Sequence, residues 1–214
     1  MYIWTEFSNF IYYMRKILFI FLFLSAITVH AQSFHAGMQL GMTGTQVTGD
    51  QLSGFHKAGI FGGVFVNHRM GKLGDFQMEL NFIQKGSRKN ARPDQGDYLQ
   101  YLMRLNYVAL PVMYKFKIKD PLTIEVGVEF AYLINSKEFD GTSEIDPYYA
   151  KDFRDFDFSG FAGLGIDFWT NFRFVFRYSY SIIPITFPPS SNSYTFYTSG
   201  HYNEVLIASI QYNF

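Results

Sequence analysis

The sequence predicts an all-β fold: an eight-stranded antiparallel up-and-down transmembrane β-barrel that follows an N-terminal signal peptide. Three observations predict it. Aromatic residues make up 20% of the 214 residues (Phe 25, Tyr 16, Trp 2), more than a soluble core of this size needs. Beyond Gln32, hydrophobicity alternates with period two over eight segments, the signature of strands with one apolar face. The connectors between those segments are alternately long and short, as when all wide loops leave one side of a membrane and all tight turns the other.

Composition removes several classes of function. Lys+Arg and Asp+Glu are both 18, so the basic excess of a general nucleic-acid binder is missing. With 17% charged residues the chain is not a disordered polar tail. The absence of cysteine excludes disulfide frameworks, thiolate metal sites, cysteine nucleophiles and a lipidated N-terminal cysteine.

The first element is an address. Met14-Arg15-Lys16 precedes the apolar run Ile17 to Val29, which is too short for a membrane-spanning helix but matches the apolar region of a signal peptide. Val29-His30-Ala31 supplies a cleavage site before Gln32, and Met14 is a plausible true start. The expected organisation is a signal peptide at 1–31 and a barrel domain at 32–214. No second long apolar run follows, so a helical membrane protein is excluded.

The eight strands follow in order. The first sets Phe34, Ala36, Met38, Leu40 and Met42 against His35, Gly37, Gln39 and Gly41. The second sets Ala58, Ile60, Val64 and Val66 against Lys57, Gly59, Phe61 and Gly63. In the third, Phe76, Met78, Leu80 and Phe82 oppose Gln77, Glu79, Asn81 and Lys85; in the fourth, Val108, Leu110, Val112, Tyr114 and Phe116 oppose Tyr107, Ala109, Pro111, Met113 and Lys115. The fifth alternates Leu122, Ile124, Val126, Val128, Phe130 and Tyr132 with Thr123, Glu125, Gly127, Glu129 and Ala131. The sixth places Ala162, Leu164, Ile166 and Phe168 against Asp157, Ser159, Phe161, Gly163, Gly165 and Asp167. The seventh places Phe172, Phe174, Phe176, Tyr178 and Tyr180 against Arg173, Val175, Arg177, Ser179 and Ser181. The last runs Leu206, Ala208, Ile210, Tyr212 and Phe214 against Ser209, Gln211 and Asn213.

The architecture depends on which parity points inward. A soluble barrel fills its interior with aliphatic and aromatic side chains. Here the second parity is glycine, serine, glutamine and paired charge, too small and wet for an apolar core. The first is continuous and apolar with aromatic ends, as a lipid-facing surface should be. The stripe Phe172 to Ile182 spans about 33 Å of strand, which at about 40° tilt covers roughly the 25 Å of an outer-membrane apolar band. Long connectors at 43–54, 87–102, 135–155 and 184–201 alternate with short ones at 68–74, 117–121 and 169–171, which puts both ends of the barrel domain on the short-turn side.

The inward parity collects charge: Lys57, Glu79, Lys85, Lys115, Glu125, Glu129, Asp157, Asp167, Arg173 and Arg177. One reading takes Glu125 and Glu129 as a general acid/base pair. They lie about 13 Å apart along one strand face, wider than glycosidases use. The other reading, which we favour, is a structural ionic cluster that fills and bridges a narrow eight-stranded lumen. A tight turn over Trp169, Thr170 and Asn171 sets Asp167 opposite Arg173. No Ser-His-Asp order appears, the histidines show no ligand spacing, and the Gly-rich stretches fall mid-strand without a following helix. The sequence therefore assigns no catalytic, cofactor-binding or metal residues. The long loops differ: 135–155 is acidic and aromatic, whereas the loop from 184 is uncharged and carries Phe187, Tyr194, Phe196 and Tyr197. These loops read either as a partner-binding surface or as strand extensions beyond the bilayer.

The stretches GFHKAGIFGGVF (54–65), FQMELNFIQKGSRK (76–89), LNYVALPVMYKF (105–116), LTIEVGVEFAYL (122–133), FSGFAGLGIDF (158–168) and VLIASIQYNF (205–214) resemble the PorT-like outer membrane protein beta-barrel domain family. That resemblance covers nearly all of 32–214 and implies a small eight-stranded barrel of Bacteroidota-type outer membranes. Its motifs are structural and carry no catalytic residues; one class of members is associated with type IX secretion. Ile210, Tyr212 and Phe214, on one face of the last strand, look like the terminal signal that barrel-assembly machinery reads by strand addition. The expected partners are outer-membrane lipid, that machinery during biogenesis and a protein partner at the outer loops, with no nucleic acid and no cofactor. The expected function is that of a non-enzymatic outer-membrane barrel of the porin family, a structural, surface-interaction or secretion/assembly-associated component. The alternative is a soluble periplasmic lipocalin-like barrel with an apolar ligand inside, which requires the apolar parity to face inward.

Overall fold

The computed structural model of the chain describes residues 34–50, 52, 54–71, 74–91, 93–141, 143–146, 152–187 and 200–214. The expected signal peptide and the alternative start at Met14 lie outside these residues. Ten strands form among the described residues: β1 (Phe34–Thr48), β2 (Lys57–Arg69), β3 (Gly74–Lys85), β4 (Arg88–Lys89), β5 (Tyr101–Lys119), β6 (Leu122–Asp140), β7 (Ser143–Glu144), β8 (Phe156–Asp167), β9 (Phe172–Ser181) and β10 (Tyr202–Asn213). Eight of them make the wall. The ladder runs β5-β3-β2-β1-β10-β9-β8-β6, and β6 pairs back to β5, so the sheet closes and leaves no long edge. The two short strands add to the rim, β4 on β5 and β7 on β6.

The alternation determines which face is outside. Leu40 is 73% exposed, and Met42, Ile60, Leu80, Leu110, Val126, Leu164 and Phe176 are exposed with it, while Gln39, Glu79, Glu125 and Arg177 of the opposite parity are buried. A water-soluble protein does not present so continuous an apolar belt. Aromatic rings cluster at both ends of it. On the short-turn side Phe172 packs against Tyr212 at 5.0 Å and against Phe168 and Trp169, and Tyr212 meets Phe214. On the long-loop side Phe156 packs against Phe130 at 5.1 Å and Tyr132 at 5.3 Å, and Tyr180 stacks on Tyr202. From Tyr202 to Tyr212 the strand advances about 33 Å, or about 25 Å along the membrane normal.

Inward glycines make room for long inward side chains. Gly163 lies opposite Arg177 in the β8–β9 ladder, and a Cβ there would stand 2.7 Å from the Arg177 Cγ. A Cβ on Gly127 would stand 2.7 Å from both Met113 Cβ and Phe161 Cζ. Gly86, at φ +128°, is the kink where β3 stops and the chain re-pairs with β5 as β4.

Connections at 49–56, 86–100, 141–155 and 182–201 leave one end of the barrel, and those at 70–73, 120–121 and 168–171 the other, as the alternation of loop lengths predicts. The ends of the strands differ from expectation. β1 continues to Thr48 and β6 to Asp140, through segments expected as loop, and β5 and β6 reach 19 residues each. The reason is pairing: beyond a one-residue shift between Asn106 and Tyr107, β5 and β6 remain paired up to Tyr101↔Asp140, so their backbone groups are satisfied above the Val108–Tyr132 rung.

Candidate functional site

The inward residues build a lumen filled in layers. At the short-turn end Asp167 lies opposite Arg173 in the ladder, and the guanidinium donates from Nε to Oδ1 at 2.6 Å and from Nη2 to Oδ2 at 2.9 Å. Above it the central layer is organised by Arg177. Its Nη1 and Nη2 donate to both Glu79 carboxylate oxygens at 2.8 and 2.7 Å, and its Nε donates to Glu125 at 2.9 Å. Such a bidentate fork fixes geometry as well as charge. The Glu79 carboxylate also accepts from Gln39, Gln77 and Asn81. Lys115 donates to Gln77 at 2.7 Å and stands 3.7 Å from Glu125, while Gln211 donates to Gln39.

The next layer is organised by Lys85, which is fully buried. Its ammonium donates to Glu129 at 2.8 Å and Asp157 at 2.9 Å, and lies 5.2 Å from the centroid of the Tyr107 ring. Asp157 also accepts from Ser159, Ser181 and Asn203. Glu125 and Glu129, the pair considered for acid/base chemistry, are thus each held by a cation on another strand and buried. The structure brings Glu79, Lys115, Glu125, Glu129, Asp157, Asp167, Arg173 and Arg177 into three adjoining ionic groups.

Lys57 is the exception. It lies at the loop-side end of β2, and its buried Nζ has no hydrogen-bond partner among the described residues. Its expected place in the ionic cluster is corrected: at the end of β2 it lies beside Thr45 and Gly86 and has no ion pair among the described residues.

A second correction concerns the character of the inward parity, expected to be small and polar throughout. Its loop-side part is an apolar plug that includes Val47, Ile83, Met103, Leu105, Tyr107 and Val205, all buried. Two loop residues complete it. Phe153 and Ile185 enter the mouth because their loops pair there: Phe153 bridges Thr186, Arg154 N–H donates to the Ile185 carbonyl at 2.7 Å, and Ile185 N–H donates to the His201 carbonyl at 2.8 Å. The Arg154 guanidinium lies 4.8 Å from the Phe187 ring centroid. Neither Phe153 nor Ile185 stood out in the sequence, since a loop has no period. For Phe153 the available signal was an apolar residue between Asp152 and Arg154, whereas Ile185 is one of several apolar residues in Ile182 to Phe187 and nothing marks it out. Of the uncharged aromatic loop, Tyr194, Phe196 and Tyr197 lie outside the described residues.

Ile210 and Phe214 point outward and are exposed, and Tyr212 shares their face between Phe172 and Phe214. Their strand closes the barrel against β1, where Phe214 N–H donates to the Ala36 carbonyl at 3.0 Å. The continuous apolar parity, which a lipocalin-like barrel needs inside, faces outward. The lipocalin-like alternative is therefore set aside.

A closed eight-stranded barrel with an apolar wall between two aromatic girdles and a filled polar lumen is a transmembrane β-barrel of the outer-membrane type. The chain belongs to the family described as "Outer membrane protein beta-barrel domain", whose model matches residues 30–186, and it resides in the outer membrane. No curated protein matches it by sequence. Among solved structures it is similar to Neisserial surface protein A (12% identity, 84% of this chain and 97% of that chain, TM-score 0.51). It is also similar to Ail, the attachment invasion locus protein of Yersinia pestis (13% identity, 86% and 100%, TM-score 0.49), and to OprG of Pseudomonas aeruginosa (10% identity, 85% and 94%, TM-score 0.38). At 12% identity the likeness to Neisserial surface protein A is one of fold.

Proposed function

We propose that the protein is a non-enzymatic outer-membrane barrel, PorT-like within its family, that acts as a surface-interaction or secretion/assembly-associated component through its outer loops. The observation that carries this reading is the filled lumen. Arg177 and Lys85 tie carboxylates from β3, β6 and β8 across the interior, and Phe153 and Ile185 pack into the mouth, so the described side chains fill the barrel axis where a wide solute path or a substrate cleft would run. What the molecule offers to a partner is the loop side, where β5 and β6 rise above the membrane. The carboxylates of the lumen hold the wall together, and Ile210, Tyr212 and Phe214 serve as the strand that the assembly machinery reads during insertion.

Cross-linking in the outer membrane of the native host tests this reading. Photoreactive residues placed along 141–155 should capture a specific protein, whereas the same probes in the turns 70–73 and 168–171 should not. Cross-links confined to the short turns, or none from the loop side, would contradict it.

A further inference from the structure

The outer face of the wall carries a second pattern, visible once the ladders are read across strands. On β3, β5, β6 and β8 the rung Phe82↔Val108↔Tyr132↔Phe156 is apolar, and the exposed Ile134, left unpaired at a register shift, follows it on β6. One rung higher the outward residues are amides, Gln84↔Asn106↔Asn135. Above these, Arg104 lies directly opposite Lys137, both on the outward face, and Arg88 joins that face through its pairing with Leu102. The side chains of Arg88 and Arg104 are exposed. Each rung rises about 5 Å along the normal for strands tilted near 40°. Arg104 and Lys137 therefore stand about 10 Å above the Val108–Tyr132 rung, within reach of the headgroup zone for long side chains that can lean back toward the bilayer.

Like charges directly opposite each other on one sheet face repel. Here one acid offsets part of that: Lys137 donates to Glu144 at 3.1 Å. Arg104 and Arg88 have no ion pair among the described residues, so of the three cations only Lys137 is paired there. The opposite side of the barrel is different. There the corresponding rungs are Gly44↔Leu206↔Tyr178 and then Gln46↔Glu204↔Tyr180. Glu204 is an outward carboxylate already satisfied by Gln46, by Thr48 Oγ1 at 3.2 Å and by Tyr178 OH at 2.8 Å. Positive charge is thus concentrated on one side of the rim, directly above lipid-facing wall.

We propose that Arg104, Lys137 and Arg88 form a binding site on the outer rim for the phosphate of an anionic outer-leaflet lipid. The site is continuous with the membrane-facing surface, so a lipid whose chains lie against Val108 and Tyr132 presents its headgroup to Arg104 and Lys137. A guanidinium fork beside an ammonium is the donor set that phosphate oxygens take. A bound phosphate also removes the cross-strand repulsion.

The test uses the full barrel in zwitterionic nanodiscs, with a bis-phosphorylated lipid A and its dephosphorylated form as probes and native mass spectrometry as readout. The wild type should retain the phosphorylated lipid about tenfold over the dephosphorylated one. The double variant Arg104→Gln/Lys137→Gln should lose that preference. Arg104→Lys, which keeps the charge, should preserve most of it, and Glu204→Gln on the opposite side should leave it unchanged. Each variant is first checked for heat-modifiable migration, so that a misfolded barrel is not scored. Equal retention of the two lipids by the wild type, or an undiminished preference in the folded double variant, would overturn the proposal. So would full occupancy by inorganic phosphate that displaces no lipid, which would assign the site to a free anion instead.

Discussion

The lower and upper parts of the lumen are lined by the same inward parity and yet are filled by different physics. In the lower part Arg177 and Lys85 reach across the barrel, and every charge is met by another. In the upper part Val47, Met103, Leu105 and Val205 meet Phe153 and Ile185, which come from loops rather than from the wall. The difference follows from what is available at each height. At mid-membrane only strands contribute, and an eight-stranded wall brings opposite sides close enough for Arg, Lys and Glu to span the interior. At the mouth the loops can fold back, and burying apolar surface is favourable without any demand for charge geometry. One part specifies register, and the other seals the end.

The largest expected effect is therefore in the lower part. Arg177→Met leaves Glu79 and Glu125 buried without their shared cation, and breaking a buried pair costs about 3–5 kcal/mol. The unfolding midpoint, followed by heat-modifiable gel migration, should fall sharply. A change below about 1 kcal/mol would show that water or another cation substitutes for the guanidinium.

At the mouth, Phe153→Ala or Ile185→Ala removes a buried side chain at a nominal cost of about 2–5 kcal/mol. Because these residues belong to loops, the effect should be local. Amide exchange at 152–155 and 185–187 should accelerate while the global midpoint stays nearly unchanged. A global loss as large as that of Arg177→Met would erase the distinction between the two parts.

The smallest effect sharpens the comparison from within the ionic set. Asp167 and Arg173 have the same chemistry as the central pairs, but the Asp167 side chain is 42% exposed. Asp167→Asn should cost under about 1 kcal/mol, as partly exposed pairs do. A double-mutant cycle with Arg173→Gln checks it.

These two parts were not equally legible in the sequence. The eight wall strands, their lipid-facing parity and the Asp167–Arg173 register could be read because strand period is fixed at two and a tight turn fixes pairing. That Glu79, a residue of β3, meets Arg177 of β9 was not legible, since it depends on closure of the barrel and on strand tilt. The plug was hidden for a different reason. Phe61, Ile83 and Tyr107 lie on the inward parity and look like exceptions to a polar face until Phe153 and Ile185 join them. Lys57 shares the parity of the ionic residues but sits at the height of the apolar ones. Parity alone does not encode height. The extensions of β5 and β6 escaped notice because 135–140, mostly polar, reads as loop, whereas pairing with 101–106 keeps it extended.

The central claim is that the lumen is sealed by its own side chains. Single-channel recording of the purified barrel in a planar bilayer tests it most directly. The wild type should show no steady conductance, and Arg177→Met combined with Lys85→Met should admit ions through the loosened interior. Stable open-channel current from the wild-type protein would contradict it.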